Sequence, residues 1–335
     1  MKRITIKDIA NYLAISVSTV SRALTNDKNI RAETREKVLE AAQTLGYSPN
    51  PVAKNLKSGR TNTIGVIAPE MITPFASQVI GGIQQVVHPL GIKVIIAESH
   101  ESWQNERDNI AMMERFMVDG MIVCLSDHTQ NIDEYLRLQK AGMPLVFFDR
   151  IPHSMQVSQV IVDDYYKTFF LIEHLVRSGR KRIVHIQGPD AVYNSHERLR
   201  GYRDAMHKFN LEVSKDMIIQ TGLGFEDGAA VAQKLVQDGV EFDAIFAFTD
   251  TLAIGAMNKL RENGVAVPDK VAVASFSGTI LSTLVTPQLT TVEPPLHQMG
   301  VEAAKLILER ISNFESPVRS IVLDAKIQIR ESTLK

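Results

Sequence analysis

The chain has 335 residues, of which 44% are hydrophobic and 22% charged, and its formal net charge is −1. This length predicts two or three domains, and the composition is that of a folded globular protein rather than a disordered one. The lone Cys124 excludes a disulfide framework and a Cys-rich zinc site, and no apolar run reaches the ~20 residues that a membrane span needs.

Charge is distributed unevenly along the chain. Residues 1–60 contain eleven Lys/Arg and five Asp/Glu, whereas the remaining 275 residues contain 26 and 33. A small basic segment on a larger acidic body is typical of a nucleic-acid reader joined to a second function. The first residues are too charged for a signal peptide, so we expect a cytoplasmic protein.

Three helices are predicted within the first 50 residues. Thr5 to Asp8 fits a capping box, Ser16 is placed to cap a second helix over Val17–Leu24, and Gly46 ends a third. Two short helices joined by a tight turn and closed by a third describe an all-α helix-turn-helix domain. The apolar residues expected on the inner faces are Ile6, Ile9, Ala10, Leu13, Val17, Val20, Leu24, Val38, Leu39, Ala42 and Leu45.

The second helix carries small polar residues and one guanidinium on its outward positions. Arg22 can bond guanine through two nitrogens in the major groove of DNA, and the hydroxyls of Ser18, Thr19 and Ser21 can reach phosphates or base edges. An ordinary solvated helix face would carry similar residues, so this pattern alone leaves both interpretations open.

The stretches ITIKDIANYLAISVSTVSRAL, TREKVLEAAQTLGYSPN and PVAKNL resemble the DNA-binding module of the lactose-repressor/galactose-repressor (LacI/GalR) family over residues 4–59. The resemblance implies that Val17, Ser18 and Arg22 read bases. Arg31 departs from the family pattern, which usually has a capping residue before the third helix, and this departure weakens the cap by about 1 kcal/mol. The family positions that contact the DNA backbone correspond to Thr5, Ser16, Thr19, Ser21, Asn29, Thr34 and Tyr47.

A proline-containing segment follows the third helix. Residues 52–56 are long enough for little more than one helical turn, which is not stable alone in water, so composition favours a flexible tether. The resemblance instead implies a hinge helix that orders on DNA and pairs with its dimer mate in the minor groove, where Leu56 wedges into a base step. The residues that match this motif are Asn50, Ala53, Lys54 and Leu56.

From Asn62 onward, apolar runs alternate with helical patterns. Near-continuous apolar strands separated by helices predict parallel sheets that are covered on both faces, and about ten strands fit two sheets better than one. The runs are TIGVIAP, IKVIIAES, GMIVCL, PLVFFD, VIVDD, RIVHIQG, AIFAFTD and VAVASF.

This larger part resembles the periplasmic-binding-protein-like α/β core of the same family, with two lobes, three crossovers and a ligand cleft at the strand ends. The resemblance implies a helix-turn-helix domain at 1–48, a hinge and linker at 49–61, and a sensing core at 62–335. The first lobe would comprise about 62–161 and 290–318, and the second about 162–289 and 319–331. A homodimer interface would lie along the helix that begins near Phe75 and in the second lobe.

Candidate effector-binding residues follow from the loops at the strand ends. Asp149 and Arg150 form a charged pair suited to hydroxyl-rich ligands, and Arg198 lies where the family places an arginine. Asp250, by contrast, is expected to cap the helix that follows it. The candidate set is Phe75, Ser126, Asp127, Asp149, Arg150, Tyr193, Asn194, Arg198, Phe225, Thr249 and Ser277.

Ser277 departs from the family pattern. Many relatives carry a ligand-binding acid at this position, and its loss leaves fewer acceptors for sugar hydroxyls. The effector, a sugar or sugar derivative by resemblance, would then be more anionic, smaller or differently posed. The residues alone do not identify it.

Other classes of function are less well supported. The chain contains no GxxxxGK[ST], GxGxxG, GxSxG or HExxH motif, so we expect no enzyme, cofactor or metal. A periplasmic solute receptor would share the core but not the basic reader, and a regulator of the same fold could use a protein corepressor. We expect a repressor that binds a pseudo-palindromic double-stranded DNA operator, as a dimer because no leucine-heptad tail follows Lys335.

Overall fold

A computed structural model describes residues 4–47, 60–127, 129, 131–152, 154–190 and 192–334. The chain divides into two compact units, Met1–Thr61 and Asn62–Lys335. Of the predicted hinge segment 49–61, only Arg60 and Thr61 fall within the described residues.

The first unit contains three helices, α1 (Ile6–Leu13), α2 (Val17–Leu24) and α3 (Ala32–Thr44). The Asp8 carboxylate accepts hydrogen bonds from the backbone amide and the hydroxyl of Thr5, at 2.8 and 2.7 Å. Ser16 caps α2 by accepting a 3.1 Å bond from the amide of Thr19, whereas Arg31 provides no side-chain cap for α3. The predicted helix starts are therefore confirmed, together with the missing cap at Arg31.

The core of this unit is small and mostly as expected, with two corrections. Val17 and Leu39 were assigned to inner faces but are 38% and 50% exposed. On a helix with 3.6 residues per turn, Val17 lies one turn before Val20 but on the outer edge of its stripe, and Leu39 is rotated about 100° from Val38. The buried residues are Ile9, Ala10, Val20, Ala23, Val38, Ala41 and Ala42.

The second unit is built from two six-stranded sheets. The first sheet is parallel, with the order β11-β5-β4-β3-β1-β2, where the strands are β1 (Thr63–Ala68), β2 (Lys93–Glu98), β3 (Gly120–Val123), β4 (Leu145–Phe148), β5 (Ser158–Val162) and β11 (Ser320–Leu323). The second has the order β12-β10-β9-β8-β6-β7, where the strands are β6 (Ile183–Gln187), β7 (Ile218–Gln220), β8 (Ala244–Ala247), β9 (Ala272–Phe276), β10 (Thr290–Glu293) and β12 (Lys326–Gln328). Only β12, among the described strands, runs antiparallel to its neighbour.

Helices cover both sheets. Those of the first lobe are α4 (Pro74–Val87), α5 (Trp103–Arg115), α6 (Asp133–Lys140) and α12 (Leu296–Ser312). Those of the second lobe are α7 (Asp164–Arg177), α8 (Tyr193–Lys208), α9 (Phe225–Gln237), α10 (Asp250–Glu262) and the short α11 (Leu281–Leu284). No helix in the described ranges is long and apolar enough to cross a membrane.

The three crossovers correct the predicted lobe bounds. Strand β10 pairs with β9 of the second sheet, although 290–318 was assigned to the first lobe. Strand β11 pairs with β5 of the first sheet, although 319–331 was assigned to the second lobe. The chain therefore changes lobe after Val162, at Pro294-Pro295 and at Asp324-Ala325. Strand partners are set by hydrogen bonds between distant segments, which the local apolar pattern of β10 and β11 does not reveal.

Glycines allow the closest helix contacts. A methyl group on Gly82 of α4 would lie 2.1 Å from the carbonyl oxygen of His297 on α12, and one on Gly300 would lie 1.9 Å from that of Val79. A side chain at either position would therefore separate the two helices. The same arrangement recurs in the second lobe, where α9 and α10 meet at Gly228 and Gly255.

Candidate functional site

The outward face of α2 is open to solvent. Val17, Ser18 and Arg22 are exposed, and Thr19 and Ser21 are partly exposed. Within the part of the chain that the structure describes, the Arg22 guanidinium has neither a hydrogen bond nor an ion pair, and α2 has no acidic residue to pair with it. The helix therefore presents one unneutralised cation among small polar side chains, an arrangement that fits a nucleic-acid groove.

The remaining predicted DNA contacts fall into three groups. Thr5, Ser16 and Asn29 are exposed, and Thr34 and Tyr47 are partly exposed. Tyr47 packs in part against the three-helix core, so its ring also has a structural role. The hinge candidates Asn50, Ala53, Lys54 and Leu56 lie outside the described residues.

A cavity of about 300 Å³ lies in the second unit, between the ends of the two sheets. Its walls come from both lobes, through the segments that follow β1, β2, β3 and β4 on one side and β6, β7, β8, β9 and β10 on the other. This is where parallel α/β sheets bind ligands, because loops from neighbouring strands converge there. The predicted residues that line it are Phe75, Asp149, Arg150, Asn194, Arg198, Thr249 and Ser277.

Four predicted residues do not line the cavity. Ser126 is buried beneath it, where its amide and hydroxyl donate to the Glu106 carboxylate at 2.8 and 2.6 Å. Tyr193 packs against the core of the first lobe. Asp127 supports the cleft from outside its wall through an amide hydrogen bond of 2.8 Å to Glu101, and Phe225 starts α9 on the surface, 37% exposed. In each case the loop was correctly located, but the direction of the side chain was not visible in the sequence.

Arg198 makes hydrogen bonds and ring contacts within the second lobe. Its Nε donates to Asp164 at 2.7 Å and its Nη1 donates to the carbonyl of Phe248 at 2.7 Å. The guanidinium carbon lies 3.7 Å from the ring centre of Phe276 and 4.3 Å from that of Phe248. The side chains of Arg198 and Asp164 are only 5% and 3% exposed, so burial raises the pKa of Asp164 while the guanidinium opposes that rise.

Arg150 is paired across the first lobe. Its Nη1 donates to both carboxylate oxygens of Glu101 at 2.8 Å, and these side chains are 13% and 19% exposed. Glu101 was not among the predicted residues, because it lies in a loop between β2 and α5 with no motif around it. Only the fold brings this carboxylate beside Arg150.

Asp149 and Asn194 face each other from different lobes. Asp149 directly follows β4 with a left-handed backbone, at φ 56°, and accepts a 3.3 Å hydrogen bond from the Asn194 side-chain amide. Burial raises the pKa of Asp149, and Arg198 and Arg150 oppose that rise. The Oδ1 atom of Asn194 is buried with no hydrogen-bond partner among the described residues. This pair therefore offers acceptors to a ligand.

Asp250 was predicted to cap the helix that follows it, but its carboxylate instead joins several segments of the second lobe by hydrogen bonds. Thr249 caps α10 instead, by accepting a bond from the amide of Leu252. The Asp250 carboxylate accepts from the hydroxyls of Ser275, Thr279 and Thr291, at 2.7 to 2.9 Å, and from the amide of Thr279 at 2.6 Å. It lines the cavity with its hydrogen-bonding capacity already used, and it supports the loop at Ser277.

Several residues that line the cavity were not among the predicted ones. Five lining residues that were not predicted are Glu70, Cys124, Phe248, Thr251 and Thr279. None of them forms a nucleophile–base pair with another described residue. Burial raises the pKa of the Cys124 thiol, which keeps it protonated. Among the described residues, no group of three or more His, Cys, Asp and Glu side chains could hold a metal ion.

Comparison with known proteins identifies both units. The lacI family of bacterial regulatory proteins matches residues 5–50, and a periplasmic binding protein-like domain matches residues 172–333. The HTH-type transcriptional repressor PurR of Vibrio campbellii is 30% identical over 331 residues, or 99% of each chain. Catabolite control protein A of Priestia megaterium is 32% identical over 332 residues, or 98% of this chain and 99% of that protein.

Solved structures support the same conclusion at the level of the fold. The crystal structure of the lac repressor dimer bound to operator and the anti-inducer ONPF covers 100% of both chains with a TM-score of 0.88, at 23% identity. The family predicted from the N-terminal motifs is thus confirmed. This chain belongs to the lacI family of bacterial regulatory proteins and is a DNA-binding transcriptional repressor with a helix-turn-helix unit and a ligand-binding core.

Proposed function

We propose that two copies of this chain bind a pseudo-palindromic operator in the cytoplasm, and that a small carbohydrate-like effector in the inter-lobe cleft controls the affinity of that binding. The observation that carries the proposal is the cavity itself. Residues from both lobes line it, so a ligand that contacts Asp149 and Arg198 together binds one lobe arrangement better than another. Such differential affinity is what a ligand needs to shift a conformational equilibrium.

On the DNA side, α2 of each protomer enters a major-groove half-site. Arg22 is available for base contact because no acidic residue of α2 pairs with it. Val17 and Ser18 are exposed beside it and complete the reading face. Contacts from Thr5, Asn29 and Thr34 then set the register on the phosphate backbone.

The hinge residues are proposed to transmit the ligand signal. Leu56, in the segment outside the described residues, would insert between base pairs at the operator centre, with Asn50, Ala53 and Lys54 in the minor groove. A coupling free energy of 1–3 kcal/mol is typical of allosteric proteins and would change operator affinity by roughly 5–150-fold. The dimer interface is assigned to α4 and the second lobe.

The proposal is tested by pairing two measurements on the full chain. A thermal-shift screen of neutral sugars, sugar phosphates, uronates and nucleobases identifies a cleft ligand, since a ligand at 100 times its Kd adds about 2.7 kcal/mol of stability. Operator fragments selected from random DNA then report affinity with and without that ligand. An affinity that does not change when the cleft is saturated would contradict effector control.

A protein corepressor is the second candidate for the signal. Its support would be a stoichiometric partner retained on the core while the cleft stays empty. A double variant, Arg198→Met with Asp164→Asn, separates the two cases, because it removes a cleft contact without leaving a buried charge unpaired and without altering the outer surface. Loss of regulation in that variant supports the small ligand, and retained regulation supports the partner protein.

A further inference from the structure

The charged groups of the cleft are already paired with one another. Arg150 is bound by Glu101, and Arg198 by Asp164. No lysine or histidine appears among the described residues that line the cavity, so these two paired arginines supply all of the positive charge in the described lining. Asp149 and Glu70, which both follow strands of the first sheet, add negative charge to the lining of the cavity. A phosphate or carboxylate entering this cavity would meet an excess of negative charge at low dielectric.

We propose that Glu101 is the residue that makes the cleft accept an uncharged, hydroxyl-rich effector and reject phosphorylated or carboxylated ligands. This inference rests on the proposed control by a cleft ligand, and it specifies the charge class of that ligand. Without Glu101, Arg150 would be a cation in the cavity wall with a guanidinium suited to binding anions.

An unusual backbone conformation positions the Glu101 carboxylate. His100 and Glu101 both have left-handed backbones, with φ 51° and 54°, a conformation that costs energy in residues other than glycine. Neighbouring hydrogen bonds hold this turn: the amide of His100 donates to the carbonyl of Pro69 at 2.9 Å, and the hydroxyl of Ser99 bonds that of Ser126 at 2.8 Å. The turn brings the Glu101 carboxylate onto Arg150 and onto the amide of Asp127.

The second-lobe side of the cavity presents a hydrogen-bond acceptor, which a donor group of a ligand can satisfy. Asn194 is 1% exposed, and its Oδ1 atom has no partner in the described residues. The Asp149 carboxylate beside it accepts one bond from the Asn194 amide. Hydroxyl groups of a ligand can donate to both acceptors, whereas an ionised carboxylate or phosphate only accepts. The two walls therefore favour the same ligand class.

This assignment also resolves one alternative that Ser277 left open. The loss of the family acid at Ser277 would by itself permit a more anionic effector. Glu101 supplies a carboxylate from the other lobe, so the cleft as a whole does not become more basic.

The first test uses inorganic phosphate as the probe on three full-length proteins. Thermal stabilisation by phosphate is compared in the wild type, in Glu101→Gln, which releases Arg150, and in Glu241→Gln. Glu241 is the matched control, since it is an exposed carboxylate paired with Arg182 away from the cleft. We expect at least a tenfold gain in apparent phosphate affinity for Glu101→Gln alone. Equal responses in all three proteins would overturn the proposal.

A double variant checks that the gain comes from Arg150. Glu101→Gln combined with Arg150→Gln should lose the added phosphate affinity, and a gain that persists would contradict the assigned role. If Glu101→Gln does not fold, the wild type still decides. The affinity of a sugar phosphate or uronate for the cleft is compared with that of its neutral parent sugar, by competition between the two ligands. Binding of the charged ligand at least as tight as that of the neutral sugar would exclude the proposed selectivity. Binding at least tenfold weaker would support it.

Operator affinity, measured in the same samples, separates this inference from the proposed function. A neutral sugar that binds the cleft without changing operator affinity would contradict effector control but leave the selectivity intact. A phosphorylated sugar that binds more tightly than its parent sugar and changes operator affinity would contradict the selectivity but support effector control.

Discussion

Asn194 at the start of α8 donates a 3.3 Å hydrogen bond to the Asp149 carboxylate at the end of β4, and the bond joins the two lobes across the cleft. Tyr193, the adjacent residue, packs against the core of the first lobe. The N-terminus of one helix of the second lobe thus provides both a polar and an apolar contact to its neighbour. Any ligand that competes for Asp149 acts directly on the lobe arrangement.

Replacement of Asn194 by Asp should therefore open the cleft. The variant places a second carboxylate beside Asp149, and two like charges in a partly buried site repel. We expect a larger radius of gyration by small-angle X-ray scattering of the ligand-free protein at pH 8 than at pH 5. Asn194→Ala, which removes the bond without adding charge, should show a smaller increase that does not depend on pH. Identical profiles for the two variants would argue against the contact.

Arg198→Met should destabilise the core by roughly 3–5 kcal/mol, because it leaves the buried Asp164 without its partner. Burial raises the folded-state pKa of Asp164 above its unfolded value, and the guanidinium no longer opposes this in the variant. A group with a raised folded pKa loses its stabilising contribution as pH rises, so urea unfolding should show a larger defect at pH 8 than at pH 5.

A second substitution tests the cause of that defect. Asp164→Asn in the Arg198→Met background removes the stranded charge and should recover most of the stability at pH 8. Recovery of stability without recovery of ligand response would separate the structural role of the pair from binding. A double variant no more stable than the single one would mean that lost packing against Phe248 and Phe276, not charge, causes the defect.

Much of the fold was predictable, because local patterns determine it. The eight apolar runs coincide with β1 to β6, β8 and β9. The three-residue strand β7 has little apolar signal and was not predicted. Where the prediction failed, long-range contacts decided the outcome. Strands β10 and β11 exchange lobes through hydrogen bonds to β9 and β5, and no local pattern encodes a partner 16 or 161 residues away.

The sequence predicted which loops form the site, but it did not predict which of their side chains face the cavity. Asp149, Arg150 and Arg198 lie directly after strands or on a motif, and they line the cavity as expected. Ser126 occupies an equivalent loop, yet the buried Glu106 draws its hydroxyl inward. Glu101 was invisible because its importance depends on a left-handed turn and on Arg150, 49 residues later. Pairings of this kind are a property of the folded chain alone.

His185 should make the core sensitive to mild acid. Its ring stacks on Phe246, its Nδ1 bonds the Phe246 carbonyl, and burial lowers its pKa from 6.5 to about 4. A group with a lowered folded pKa stabilises the protein above its unfolded pKa, and this contribution is lost as pH falls from about 6.5 towards 4, by roughly 3 kcal/mol in all. Chemical denaturation across that range should therefore show a steeper decline for the wild type than for His185→Phe. Equal pH slopes would contradict the buried neutral ring.

Adjacent glycines of α4 provide a matched test of the helix packing. Gly82→Ala should destabilise the core by several kcal/mol, because its methyl group would lie 2.1 Å from a carbonyl oxygen of α12. At Gly81 the nearest neighbour of such a methyl is 4.0 Å away, so Gly81→Ala should be neutral or stabilise by up to about 1 kcal/mol. Thermal unfolding compares the two, and similar effects would mean that the helices do not approach as closely as described.

Arg22→Ala should relax base discrimination at one operator position by about 1–3 kcal/mol while leaving affinity for non-specific DNA nearly unchanged. The reason is that its guanidinium is exposed on α2 with no acidic partner on that helix. Lys37→Ala removes a charge of the same sign from α3, where Glu33 already pairs with it at 2.7 Å, and should change specificity little. Both variants are compared with the wild type on a library of operators carrying every single-base change. A loss of affinity that is uniform across the library would reassign Arg22 to the phosphate backbone, whereas a loss confined to one base pair per half-site identifies the base it reads.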